Sequence, residues 1–170
     1  MGIRERKRPD TSKKPGYITA RGYRRLQEEA DYLWNRKRPE VTAAITEAAA
    51  EGDRSENAEY LYRKRQLADI DRRLKFLGNR LDALSVVAEE PKDDGRIYFG
   101  CTVTLEDENG DCVSYRIVGP DEWDSKRGEI SIESPVARAL LGKQAGDDVE
   151  VQRPGGHSCF LIIKVAVSSE

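Results

Sequence analysis

The sequence predicts an α+β chain in which a long N-terminal antiparallel coiled-coil hairpin precedes a small α+β domain. Three observations carry that reading. Leu67, Ile70, Leu74, Leu77, Leu81 and Leu84 recur at alternating spacings of three and four, the seam of a heptad helix. Asn109-Gly110 separates two runs of alternating apolar residues, which is a hairpin signal. Charge is divided as well: residues 1–85 hold 20 Lys/Arg against 14 Asp/Glu, whereas residues 86–170 hold 9 against 17. Charged residues make up 35% of the 170, against a usual share of about 25%, and mean hydropathy is −0.72. Much of the chain must therefore be the solvated surface of elongated elements rather than the wrapping of one large core.

Residues 1–16 are rich in Lys, Arg and Pro and lack apolar periodicity, so nothing offsets the entropy of ordering them; a basic flexible tail is expected. From 17 to 88 the pattern is helical. Thr19 is a candidate N-cap, followed by Tyr23, Leu26, Ala30 and Leu33 at coiled-coil spacing. The spacing falters near Lys37 and Glu40 and resumes one residue out of step at Val41, Ile45 and Ala48, where Pro39 removes a backbone donor. A kink or register shift is expected there. Gly52 suits the left-handed turn that ends this helix and sends the chain into the Leu67–Leu84 seam. Two helices of roughly 30 residues, each about 45 Å long, must pair to bury such narrow stripes.

After the polar linker around Pro91, strands are expected at 97–105, 113–118, 129–132, 148–151 and 160–167. Ser134-Pro135 followed by 136–141 and Gly142 reads as a capped short helix. These make 89–170 a small α+β domain. Cys101, Cys112 and Cys159 are odd in number and form no Cys-x-x-Cys pair, which excludes a disulfide framework or zinc site and leaves reduced, buried thiols. His157, Trp34 and Trp123 are assigned to packing or surface. With neither a span of roughly 18 apolar residues nor a signal-peptide pattern, a soluble cytoplasmic protein without membrane attachment is expected.

The end of the hairpin carries the chemistry. Within 47–59, Glu47, Glu51, Asp53, Glu56 and Glu59 stand against Arg54 alone, an acidic tip near 51–60. Behind it Arg36-Lys37-Arg38 and Arg63-Lys64-Arg65 form a basic collar. Asp53 and Glu56 are three residues apart at a helix start, so both carboxylates can share a face and offer hard oxygens to Mg²⁺. The same Asp-x-x-Glu spacing is a capping-box pattern, and spacing alone leaves both readings open. Arg63 falls at a core position of the backward-extended seam, where a charge suggests a use such as a phosphate contact.

Gly52-Asp53-Arg54-Ser55-Glu56-Asn57-Ala58-Glu59-Tyr60 resembles the tip signature of the Gre transcript cleavage factors of bacterial RNA polymerase. The resemblance continues through Asp69-Ile70-Asp71-Arg72-Arg73-Leu74, Tyr115-Arg116-Ile117-Val118-Gly119 and Ile130 to Leu141, spans about residues 16–167 and leans to the GreB branch, which has the larger basic patch. It implies a coiled coil that enters the polymerase secondary channel and an FKBP-like C-terminal domain that docks on the rim helices. It further implies that Asp53 and Glu56 hold the second Mg²⁺ and the attacking water beside the polymerase's own metal, supported by Ser55 and Asn57. Two-metal hydrolysis of backtracked RNA near its 3′ end would follow, with the polymerase remaining the enzyme and this chain a monomeric cofactor. Arg63, Lys64 and Arg65 would hold the nascent RNA through phosphates, and Glu133-Ser134-Pro135 would be the docking loop, with Glu133 where the GreB branch carries Asp.

Three other readings are weighed beside this. A channel-binding modulator of polymerase that does not cleave would need a degraded tip, yet Asp53 and Glu56 are both present. A self-sufficient metal nuclease would need more ligands than this exposed pair. A prolyl isomerase is suggested by fold analogy alone, which does not carry function.

Overall fold

The computed structural model describes residues 12–50, 58–89, 91–153 and 156–167. It divides into two compact units, one built on Arg24–Leu84 with the segment ending at Pro15, the other on Ser85 onward together with Gly16–Tyr23.

In the first unit, helix α1 (Ala20–Tyr32) runs into a π-helical turn at Leu33–Lys37 and then α2 (Arg38–Ala50); the return helix is α3 (Ala58–Ala83). The π turn is how the expected register shift is realised. The Arg38 N–H donates to the Leu33 carbonyl five residues back, which inserts one extra residue just before Pro39, the residue with no N–H to give. The two arms pair antiparallel: Glu29 meets Arg73 at 2.7 Å, and Arg38 meets Asp71 at 2.9 Å. Leu26, Val41, Ala48, Ile70 and Leu77 are buried, and Leu67, Leu74 and Leu81 are half-buried, so the seam lies where periodicity placed it.

Three boundaries differ from expectation. Leu84 leaves the helix and opens strand β2 (Leu84–Val87), which pairs with β1 (Gly16–Thr19) in a two-stranded sheet, because a paired strand satisfies its backbone more fully than a fraying helix end. The basic tail gives way to structure from Ser12 onward: Ser12 is buried, and the Lys14 carbonyl accepts from the buried Arg80 guanidinium. Gly16–Tyr23, read as the start of the coiled coil, groups instead with the C-terminal unit.

The second unit is a five-stranded sheet in the order β5-β4-β3-β7-β6, formed by β3 (Thr102–Asp107), β4 (Cys112–Val118), β5 (Glu129–Ser131), β6 (Asp148–Arg153) and β7 (Gly156–Ala166). β4 and β5 are parallel, and the other neighbours antiparallel. Asn109-Gly110 is the hairpin turn between β3 and β4: Asp107 Oδ1 accepts from Asn109 and Asp111 N–H groups, and Gly110 takes φ 83°. The expected strand at 97–105 is cut short because Gly100, at φ 89°, turns the chain, so β3 starts only at Thr102. Helix α4 (Pro135–Leu140) contributes Ala137 and Leu140 to a core with Ile97, Val103, Leu105, Ile117, Val149, Val151, Phe160 and Ile162.

Cys101 is buried and its thiol is pushed up by that burial, whereas Cys112 and Cys159 are exposed. The expectation of buried thiols therefore holds for one of three; Cys159 alternates along β7 with the buried Phe160 and so faces outward. Among the described residues no helix is long and apolar enough to cross a membrane.

Candidate functional site

The acidic tip residues Asp53, Ser55, Glu56 and Asn57 lie outside the described residues. Two candidate regions are described: the collar at 36–38 and 63–65 in the helical unit, and the 133–135 turn in the sheet unit.

The collar's six cations fall into two groups. Arg63 donates to Glu59 at 2.7 Å and to Gln66 at 3.3 Å, Lys37 pairs with Glu40 at 3.1 Å, and Arg38 with Asp71 at 2.9 Å. The Glu59 carboxylate raises the Arg63 pKa, chiefly through that hydrogen bond. Arg36, Lys64 and Arg65 are exposed and have no carboxylate partner among the described residues. Their donors are thus not taken up by carboxylates of the described residues, which suits them to phosphate oxygens. The half-buried Arg63, which the seam had marked as an anomaly, is explained first by its i, i+4 bond to Glu59.

Three collar cations also lie over rings: Arg38 over Trp34 at 5.3 Å, Arg63 over Tyr62 at 5.6 Å and Lys64 over Tyr60 at 5.8 Å. Trp34 and Tyr62 remain 59% and 57% exposed. Sequence reasoning set Trp34 aside; the signal that could have found it was its i, i+4 spacing to Arg38, which a π turn then reshaped.

In the sheet unit, Ser134 caps α4 by accepting from the Ala137 N–H at 3.1 Å, with Pro135 in the first turn, where a missing N–H does no harm. The turn before it is held by Ser134 N–H to the Ser131 carbonyl at 2.8 Å and Glu133 N–H to Ser131 Oγ at 3.1 Å. Glu133 and Pro135 are exposed on this braced turn, and Ser134 also lines a groove with Tyr115, Trp123 and Ile130. The arrangement is a rigid, outward-facing loop rather than a catalytic pocket. Among the described residues no group of three or more His, Cys, Asp or Glu side chains could hold a metal.

A network missed in the sequence anchors the segment that leads into α1. Glu122, 2% exposed, accepts from the Thr19 N–H at 2.8 Å, the Thr19 hydroxyl at 2.5 Å and the Gly119 N–H at 3.1 Å. Thr19 Oγ1 in turn accepts from the Gly22 N–H at 3.0 Å, the expected N-cap.

Comparison with known proteins adds the remaining finding. The family model for the N-terminal part of transcription elongation factors, GreA_GreB_N, matches residues 16–86, and that described as "Transcription elongation factor, GreA/GreB, C-term" matches 91–167. The chain is 51% identical to transcription elongation factor GreB of Haemophilus ducreyi over 152 residues, 89% of this chain and 94% of that one. It is 51% identical to GreB of Xanthomonas axonopodis over 163 residues, 95% and 97% of the two chains. It is 50% identical to GreB of Pseudomonas aeruginosa over 160 residues, 94% and 95%.

Proposed function

This chain belongs to the GreA/GreB family of transcription elongation factors, and we propose that it enters the secondary channel of bacterial RNA polymerase and stimulates endonucleolytic cleavage of backtracked nascent RNA. The observation that carries the reading is identity of about half with factors named GreB along nearly the full length of both chains. The acidic tip sequence supports the chemistry: Asp53 and Glu56 are hard oxygen donors three residues apart, the ligand class Mg²⁺ takes, and two ligands leave positions for water and for groups of the polymerase. Bound there, the ion would lower the pKa of a water and aim it at the RNA phosphodiester.

This chain's residues then divide the work. Asp53 and Glu56 hold the ion and the water, with Ser55 and Asn57 supporting the tip. Lys64 and Arg65, which have no carboxylate partner among the described residues, hold the extruded RNA by its phosphates, and Arg63 contributes from its bond to Glu59. Glu133, Ser134 and Pro135, presented on a capped helix start, dock on the rim of the channel. The chain acts as a monomeric cofactor and the polymerase remains the enzyme.

The test is cleavage of a backtracked elongation complex in Mg²⁺ with and without the factor, with free RNA as control. Cleavage that requires both polymerase and this chain is expected. Polymerase binding without cleavage would replace the reading with that of a channel-occupying modulator, and cleavage of free RNA would make the chain a nuclease.

A further inference from the structure

The collar is aromatic as well as basic. Cation–ring contacts occur about once per 70–80 residues, so roughly two are expected here. Four occur among the described residues, three of them on Arg38, Arg63 and Lys64, all collar cations.

Two of these contacts share an organisation. Arg38 lies over Trp34 while Asp71 holds its Nε at 2.9 Å. Arg63 lies over Tyr62 while Glu59 holds its Nε at 2.7 Å. In each, a carboxylate pins the guanidinium and the guanidinium covers part of a ring, yet the ring keeps more than half of its surface exposed. Large exposed rings so braced lose little freedom on binding, which is what a stacking platform requires. Beside Tyr62 stands a cation that has no carboxylate partner among the described residues, Arg65, three residues on along the same helical face. A flat ring next to an unneutralised cation is the pattern that binds a single-stranded nucleotide, base on the ring and phosphate on the cation.

We propose that Trp34 and Tyr62 stack unpaired bases of single-stranded RNA, while Lys64 and Arg65 take its phosphates. The inference rests on the proposed function, which supplies extruded RNA as the strand. Arg38 and Arg63 brace the rings, and Lys64 and Arg65, without carboxylate partners among the described residues, take the backbone. The platform tolerates any sequence, because every base has a stacking face.

The experiment uses deeply backtracked elongation complexes whose extruded RNA carries either normal nucleotides or abasic riboses of equal length and charge. The readout is the ratio of factor-stimulated cleavage rates on the two RNAs. For Trp34→Leu and Tyr62→Leu this ratio is expected to fall about five-fold or more relative to the unaltered chain, the lower range of one base–ring stack. Trp34→Tyr and Tyr62→Phe keep a ring and are expected to keep the ratio, which separates stacking from loss of fold. A ratio unmoved by the leucine substitutions, including equal losses on both RNAs, would overturn the inference and assign the rings to protein contacts. Failure of the unaltered chain to stimulate cleavage even on shallowly backtracked RNA would overturn the proposed function, and this inference with it.

Discussion

Glu122 and Thr19, 103 positions apart, are joined by two hydrogen bonds, from the Thr19 N–H at 2.8 Å and from its hydroxyl at 2.5 Å, in a site where Glu122 is 2% exposed. The carboxylate faces the start of α1, where unpaired N–H groups favour negative charge. Glycines enclose it, and a Cβ added at Gly22 would overlap the carboxylate itself. Glu122→Gln keeps the shape but turns one acceptor oxygen into a donor facing donors. It is expected to destabilise the protein by about 1–3 kcal/mol, read as a lower midpoint in denaturant, and Gly22→Ala to do so too. A midpoint unchanged in Glu122→Gln would mean that the network contributes shape alone.

For the tip, Asp53→Asn and Glu56→Gln are expected to abolish stimulated cleavage while polymerase affinity stays within about two-fold, since an amide is a poorer Mg²⁺ ligand of the same size. Affinity lost in step with cleavage would make the pair a helix cap instead.

Lys64→Ala with Arg65→Ala should weaken rescue of deeply backtracked complexes. It should also flatten the salt dependence of RNA retention, by about 0.7 per lost phosphate contact in the slope of log K against log salt. An unchanged slope would return both side chains to the role of solvated surface.

Ser134 holds the 131–135 turn as a helix cap, so Ser134→Ala is expected to cost about 1 kcal/mol of stability and to loosen the turn. Glu133→Lys and Pro135→Ala should lower affinity for polymerase without altering the tip. Competition binding against the unaltered chain measures both, and equal affinities would exclude the loop as the docking element.

The exposed Asp94 is held below the usual carboxylate range, first by the Tyr98 hydroxyl at 2.8 Å and then by the Arg96 N–H at 3.0 Å; the same bond raises the Tyr98 pKa. A depressed carboxylate stabilises the fold above its ordinary pKa and loses that contribution as pH falls through the lowered one. Tyr98→Phe is therefore expected to shift the Asp94 titration midpoint upward in an NMR pH series. A midpoint that stays put would show that the backbone N–H alone holds the carboxylate.

Much was legible along the chain because it is written in local terms. The Leu67–Leu81 part of the leucine repeat, the Thr19 and Ser134 caps and the Asn109-Gly110 turn each depend on residues within a few positions of one another, and the structure places them as read. The interruption near Pro39 was legible as a change of spacing, though not its form as a π turn. The collar was legible as runs of Lys and Arg. The division between Arg38 and Arg63, spoken for by Asp71 and Glu59, and Arg36, Lys64 and Arg65, which have no carboxylate partner among the described residues, was not.

Periodicity, turn chemistry and charge runs thus sufficed for a helical hairpin with a basic collar followed by a small α+β domain, because each is a relation between near neighbours. The three-dimensional arrangement settled which distant groups meet: β5 parallel beside β4, Gly16–Tyr23 grouped with the C-terminal unit, and Glu122 closing on Thr19. Such pairings follow from burial and the need to satisfy every buried polar atom, and a buried carboxylate takes whatever donors the fold brings within reach, wherever they lie along the chain.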